Sequence, residues 1–263
     1  SLMLVVLVDL YTVNKRYVNT ENFVAAANDE AVFEPTAVDL EILKDTTMNY
    51  RVMDYNGFGE ARSSYFHKTI GGYHAAKLTR YNDLIEHQIN KGNLDVLNML
   101  NARYFIGRDE AGQTVCELNP DAMGNAWLVD QVDYVDSANE EMSALTGLAV
   151  DSVAVADKAF EPVLGKSQPK MPGDTIFETT YAPNRLTYHA QTRNGGVAVF
   201  SEVYFPWGWK ATIDGKEAEI GRVNYVLRAL NLPAGSHTVE FVFDPESIHV
   251  TNTIATIAII LIY

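Results

Sequence analysis

Apolar and polar positions follow mixed periods up to about residue 156 and a period close to two from about residue 175. Val38, Leu40, Ile42 and Leu43 follow Pro35, a good first-turn residue, and predict a short helix to about Lys44. YRVMDY at 50–55 alternates as a strand does. FGEARSSYFHKTIGGYH, 58–74, lacks a period and reads as a long loop. From Tyr73 the stripe Leu78, Tyr81, Ile85 and Ile89, with Lys77, Arg80, Asp83 and Glu86 off it, predicts a helix that Gly92 stops. LDVLNMLN at 94–101 predicts another helix, and strands at 103–107 and 114–118 flank the turn DEAG. WLVDQVDYV at 127–135 reads as one strand, Ser137 and Glu140 sit at capping-box spacing before a helix ending near Gly147, and SVAVA at 152–156 is a strand.

PVLGKSQPKMPGD at 162–174 holds three prolines and two glycines and reads as a linker. Beyond it TIFETTYA, RLTYHAQTR, VAVFSEVYF, WKATI, KEAEI, YVLRALNLP and HTVEFVFD alternate with turn signals between them, which predicts an antiparallel β-sandwich. Asp214-Gly215 is the strongest hairpin signal, since a type I′ turn needs positive φ at both central positions. The expected fold class is α+β: an N-terminal mixed α/β part over 17–160, a linker over 161–174 and a C-terminal antiparallel β-sandwich over 175–247.

Composition narrows the function classes. With 20 basic and 34 acidic side chains in 263 residues, the net charge of −14 argues against a nucleic-acid partner, which needs clustered Lys and Arg. Cys116 is alone, so no intrachain disulfide and no cysteine-based zinc site forms, and its strand-like setting suits a small core residue. His67 and His74, the one close histidine pair, lack a third ligand, and neither a metal nor a cofactor is expected. Gly71-Gly72 could seat an anion at a helix start but lacks a P-loop lysine. No nucleophile elbow accompanies Ser64, and no carboxylate pair for a hydrolase can be located from spacing, so no catalytic residue is assigned.

Two segments have the content of a binding surface. Ser63 to Tyr81 concentrates Tyr65, His67, Tyr73, His74, Lys77 and Arg80, aromatic faces and charges suited to a polar headgroup or sugar. VYFPWGWK brings Tyr204, Trp207 and Trp209 around Pro206 and Gly208, which reads as sugar stacking, an interfacial aromatic belt or the ordinary anchors of a sheet core.

LMLVVLV at 2–8 and IATIAIILIY at 254–263 are free of charge, and each is shorter than the roughly 20 apolar residues of a spanning helix. Buried terminal strands are one reading. The sharper expectation is an excerpt cut inside two transmembrane helices, with 1–16 the end of one and 248–263 the start of the next.

Four segments carry a resemblance: LVDLYTVNKRYV from Leu7, SYFHKTIGGYHAAKLTRYNDLI from Ser64, VLNMLNARYFI from Val96, and FSEVYFPWGWKATIDGKEAEIGRVNYVLRALNLPAGSHTVEFVFDP from Phe200. In order and spacing they resemble the YfhO family of large bacterial membrane proteins. The resemblance implies a C-terminal extracytoplasmic region of a polytopic glycosyltransferase of the C type in the cytoplasmic membrane. The catalytic acid would lie outside this chain. The partners implied are the rest of the membrane domain, the membrane itself, and a cell-envelope glycan or polyprenyl-phosphate sugar. Its implied role is an accessory domain positioning donor or acceptor, the alternative being a structural or protein-interaction module that braces the membrane domain.

Overall fold

The computed structural model describes residues 2–23 and 33–262. Helix α1 (Leu2–Tyr17) leads, after the 3-10 turn Thr20–Asn22, to α2 (Ala37–Ile42), the short helix expected after Pro35. Thr36 and Asp39 cap it by exchanging side-chain and backbone hydrogen bonds. Strands β1 (Arg51–Asp54), β2 (Ala102–Arg108) and β3 (Thr114–Leu118) form a three-stranded sheet, β1 parallel to β2 and β2 antiparallel to β3. Three helices connect β1 to β2: α3 (Ala61–Phe66), α4 (Thr79–His87) and α5 (Leu94–Met99). Helix α3 falls where the aperiodic pattern suggested a loop. Helix α4 begins six residues later than Tyr73, because Ala76 N–H folds back on His74 Nδ1 (3.1 Å) and Leu78 is extended.

The segment 127–135 is divided. Asp130 and Gln131 both donate their backbone N–H to the Ser152 carbonyl (2.7 and 3.1 Å), ending β4 (Ala126–Val129) and starting β5 (Gln131–Val135). β5 pairs in parallel with β6 (Val153–Asp157) across α6 (Ala138–Ala144), and α7 (Glu161–Leu164) follows. The eight remaining strands are β7 (Thr175–Ala182), β8 (Arg185–Thr192), β9 (Gly196–Val203), β10 (Trp209–Ile213), β11 (Lys216–Ala218), β12 (Gly221–Val223), β13 (Leu227–Leu232) and β14 (Gly235–Phe243). The chain ends in α8 (Glu246–Ile262).

These strands do not make the expected self-contained sandwich. The chain is a mixed α/β fold on open sheets, five strands in the order β11-β10-β14-β8-β7 and four in the order β12-β13-β9-β4. The four-stranded sheet recruits β4 from far upstream and is buried on both faces. On one face Ala126, Leu128, Ala198, Phe200, Leu230 and Leu232 meet Leu186, Tyr188, Val239 and Phe241 of the five-stranded sheet. Trp127, Val129, Val197, Val199, Leu227 and Ala229 point the other way, into a core shared with α4, α5, α6 and β6. A sheet covered on both sides needs apolar residues at consecutive positions, which is why Gly196–Ser201 is buried without a break.

No helix among the described residues is long and apolar enough to cross a membrane. Helices α1 and α8 have 16 and 17 residues and carry apolar side chains that are exposed along their length.

Candidate functional site

The loop between β9 and β10 gathers Tyr204, Phe205, Trp207 and Trp209 at the surface. Trp209, the first residue of β10, is held from two directions. The Arg228 guanidinium lies 3.9 Å from its ring centroid, and the Phe243 ring is tilted against it at 5.3 Å. Arg228 is buried, stacks also on Phe241 at 5.5 Å and donates Nε–H to the Val203 carbonyl (3.1 Å), so it fixes both ends of the loop. Gly208 has φ +94°, and a Cβ there would meet Phe243 and Pro245 at 2.8 Å. Tyr204 is pinned through its backbone N–H to the Val226 carbonyl (2.7 Å) and packs edge-on against Phe160. What remains free is Trp207, 69% exposed, with only the Phe205 ring edge-on at 5.2 Å.

This ridge separates two open clefts. One, about 450 Å³, is lined by Tyr204, Phe205 and Pro206 of the loop, Trp209 and Lys210 of β10, and Glu217, Ala218 and Glu219. The other, about 510 Å³, runs along Trp207 toward Asp244, Pro245 and His249. The Asp214-Gly215 turn adopts positive φ at both positions (52° and 76°), as the sequence predicts, and sets Glu217 opposite Thr212. Asp214 accepts from His237 Nδ1 at 2.6 Å; that bond holds the Asp214 carboxyl below its ordinary range and raises the His237 imidazole. The Lys210 ammonium turns to Asp244 (2.9 Å), whose other oxygen meets His249.

The residues of 63–81 do not join this site; neither cleft is lined by any of them. Tyr65 and Tyr73 are exposed, and Tyr65 packs on Phe33 and Phe66. His67 is buried, with Nε2 2.9 Å from Asp39 Oδ1, and Arg62 bonds the other oxygen at 2.7 Å. Despite its burial, Asp39 is held far below the ordinary carboxylate range by those bonds and its Thr36 cap. His74 bonds its own turn, and Lys77 reaches only the Gly72 carbonyl at 3.5 Å. Gly71 and Gly72 precede no helix start. A Cβ on Gly71 would lie 2.0 Å from the Phe58 carbonyl oxygen, so the pair serves close backbone packing. Arg80 is consumed by structure: it stacks on Tyr225 at 4.4 Å and pairs with Glu141 at 3.3 Å.

A second polar cluster had no signal in the sequence. Asn49 Nδ2 donates to Glu202 Oε1 (3.1 Å) and reaches Glu178 Oε1 (3.4 Å) across 153 and 129 positions of chain. Arg51 bonds Glu202 at 3.3 Å and the Leu100 and Ser201 carbonyls at 2.9 and 2.6 Å. Lys68 donates to Asn49 Oδ1 (2.8 Å) with its ammonium 3.2 Å from the Tyr181 ring centroid. Burial pushes the Glu178 carboxyl up to about 7, aided by the Glu202 charge and opposed by Asn49 and Lys68. The buried Tyr188 hydroxyl faces Glu178 without a well-aligned hydrogen bond. The cluster ties β1 and the segment after α3 to β7 and β9, and neither glutamate lines the ridge clefts. No three His, Cys, Asp or Glu side chains among the described residues form a group able to hold a metal ion.

No protein-family model, no curated protein and no solved structure matches this chain. The resemblance to the YfhO family is therefore corrected, and the readings that rested on it fall with it. Those are the glycosyltransferase accessory role and its membrane-bracing alternative, and the glycan, lipid-linked sugar and membrane-domain partners. Placement in the cytoplasmic membrane rested on the same resemblance and falls with it, and no helix among the described residues is long and apolar enough to cross a membrane.

Proposed function

We propose that this chain is a protein-recognition module whose binding face is the Tyr204–Trp209 ridge with its two flanking clefts. The observation that carries the reading is the contrast within one loop. Trp209 is clamped by Arg228 and Phe243, while Trp207, two residues earlier, is 69% exposed between open clefts. A tryptophan has only two side-chain torsions to fix on binding, and the loop that carries Trp207 is already held at Trp209, which suits it to anchor an interface. Of the nine candidate residues named from the sequence, Tyr204, Trp207 and Trp209 supply this face; the others lie apart from it.

The test is an array of immobilised random peptides probed with the full chain and with Trp207→Ala. Saturable binding to a restricted set of sequences, lost in the variant, is the expected result. Failure of every peptide to bind the folded chain would overturn the reading.

A further inference from the structure

The first cleft joins two kinds of surface that one ligand chemistry satisfies together. Tyr204 and Phe205 offer aromatic faces and edges, and Glu217 and Glu219 face them from the hairpin. Neither glutamate is in an ion pair among the described residues. Lys210 also lines the cleft and feels the Glu217 charge, but its ammonium turns out of the cleft's acidic side to Asp244 at 2.9 Å. An anion would be repelled there, and an uncharged apolar group would cover two carboxylates without compensating them. A cation gains on both sides, from the ring quadrupoles and from the carboxylates. The chain's net charge of −14 adds a long-range attraction of the same sign.

We propose that this cleft seats a single cationic side chain, the arginine or lysine of a partner's segment, between the Tyr204 and Phe205 rings and the Glu217 and Glu219 carboxylates. The proposal rests on the ridge being a recognition surface, and it deepens that reading by naming the partner's chemistry. Trp207 then covers the residues flanking the cation.

The experiment uses the peptides selected on the full chain, each resynthesised with citrulline for arginine and norleucine for lysine. Binding is followed by tryptophan fluorescence at low and high salt, with E217Q/E219Q beside the parent. Both substitutions lie on an exposed hairpin, and circular dichroism checks that the fold is kept. Loss of about tenfold in affinity on neutralising the peptide, on the double substitution and on raising salt is the expected result. Peptides that bind, need Trp207, and are indifferent to all three changes would overturn the cation seat while leaving the recognition face standing. Absence of any peptide binding would remove both.

Discussion

Glu141 is the sharpest place to perturb this structure. It is fully buried in α6; Oε1 accepts the Tyr225 backbone N–H (3.0 Å), and Oε2 accepts from Arg222 (3.1 Å) and Arg80 (3.3 Å). Tyr225 has φ +71°, an uncommon conformation for a residue with a side chain, and follows Asn224 at +49°. Glu141 thus holds a strained turn, and that turn carries Val226, the residue to which Tyr204 of the ridge is bonded. Glu141→Ala leaves Arg222, whose side chain is 11% exposed, without its anion, when its Nε already has no partner. Breaking one side of a buried pair costs about 3–5 kcal/mol, because the remaining charge is left uncompensated. At roughly 2–3 °C per kcal/mol for a chain of this size, the melting temperature falls by ~6–15 °C. Glu141→Gln keeps an acceptor for Tyr225 and loses about half as much. Urea unfolding followed by circular dichroism measures both. A loss below about 1 kcal/mol for Glu141→Ala would refute the reasoning and mean that water replaces the carboxylate at no cost.

Glu178 gives the chain a pH dependence of definite sign. Its folded pKa of about 7 lies above its ordinary 4.5, so the folded state favours the protonated acid. Its contribution is best below 4.5, declines as pH rises toward 7 and is least above it. The full shift corresponds to ~3 kcal/mol, and partial exposure reduces that to about 1–2 kcal/mol. Glu178→Gln is expected to raise stability at pH 8 and to leave it nearly unchanged at pH 4, by denaturant titration at the two pH values. Gly208→Ala, at φ +94° with no room for a Cβ, is expected to cost more than about 1 kcal/mol and to change the Trp207 emission spectrum. At the opposite end of the hairpin, Gly215→Ala meets open space but keeps φ +76°, and its cost should come from backbone strain alone, about 1 kcal/mol by thermal melt.

Local signals were legible where local chemistry decides the outcome. The Asp214-Gly215 turn, the short helix after Pro35 and the Ser137 cap of α6 form where their residue types place them. The hairpin reading even carried Glu217 back against β10, although its role beside Tyr204 needed the loop geometry. Periodicity misled where a strand has two covered faces. A period of two predicts half-buried strands of a sandwich, whereas consecutive positions of β9 and β13 are buried, Arg228 among them, in a middle sheet that also takes β4. Arg80 lies off the apolar stripe of its helix, a position that predicts a charge free to bind; its partner Glu141 lies 61 positions away. Glu178 and Glu202 meet through Asn49 and Arg51, and nothing in the spacing of those four residues announces it.

The most direct test of the recognition face is one titration. The full chain and Trp207→Ala are each titrated with the arginine-bearing peptides that bind it, following tryptophan emission, with Trp209 as the remaining reporter in the variant beside the buried Trp127. Saturable binding by the parent and at least about tenfold weaker binding by Trp207→Ala is the expected result. Equal affinities for the two proteins would contradict the claim and move recognition away from the ridge.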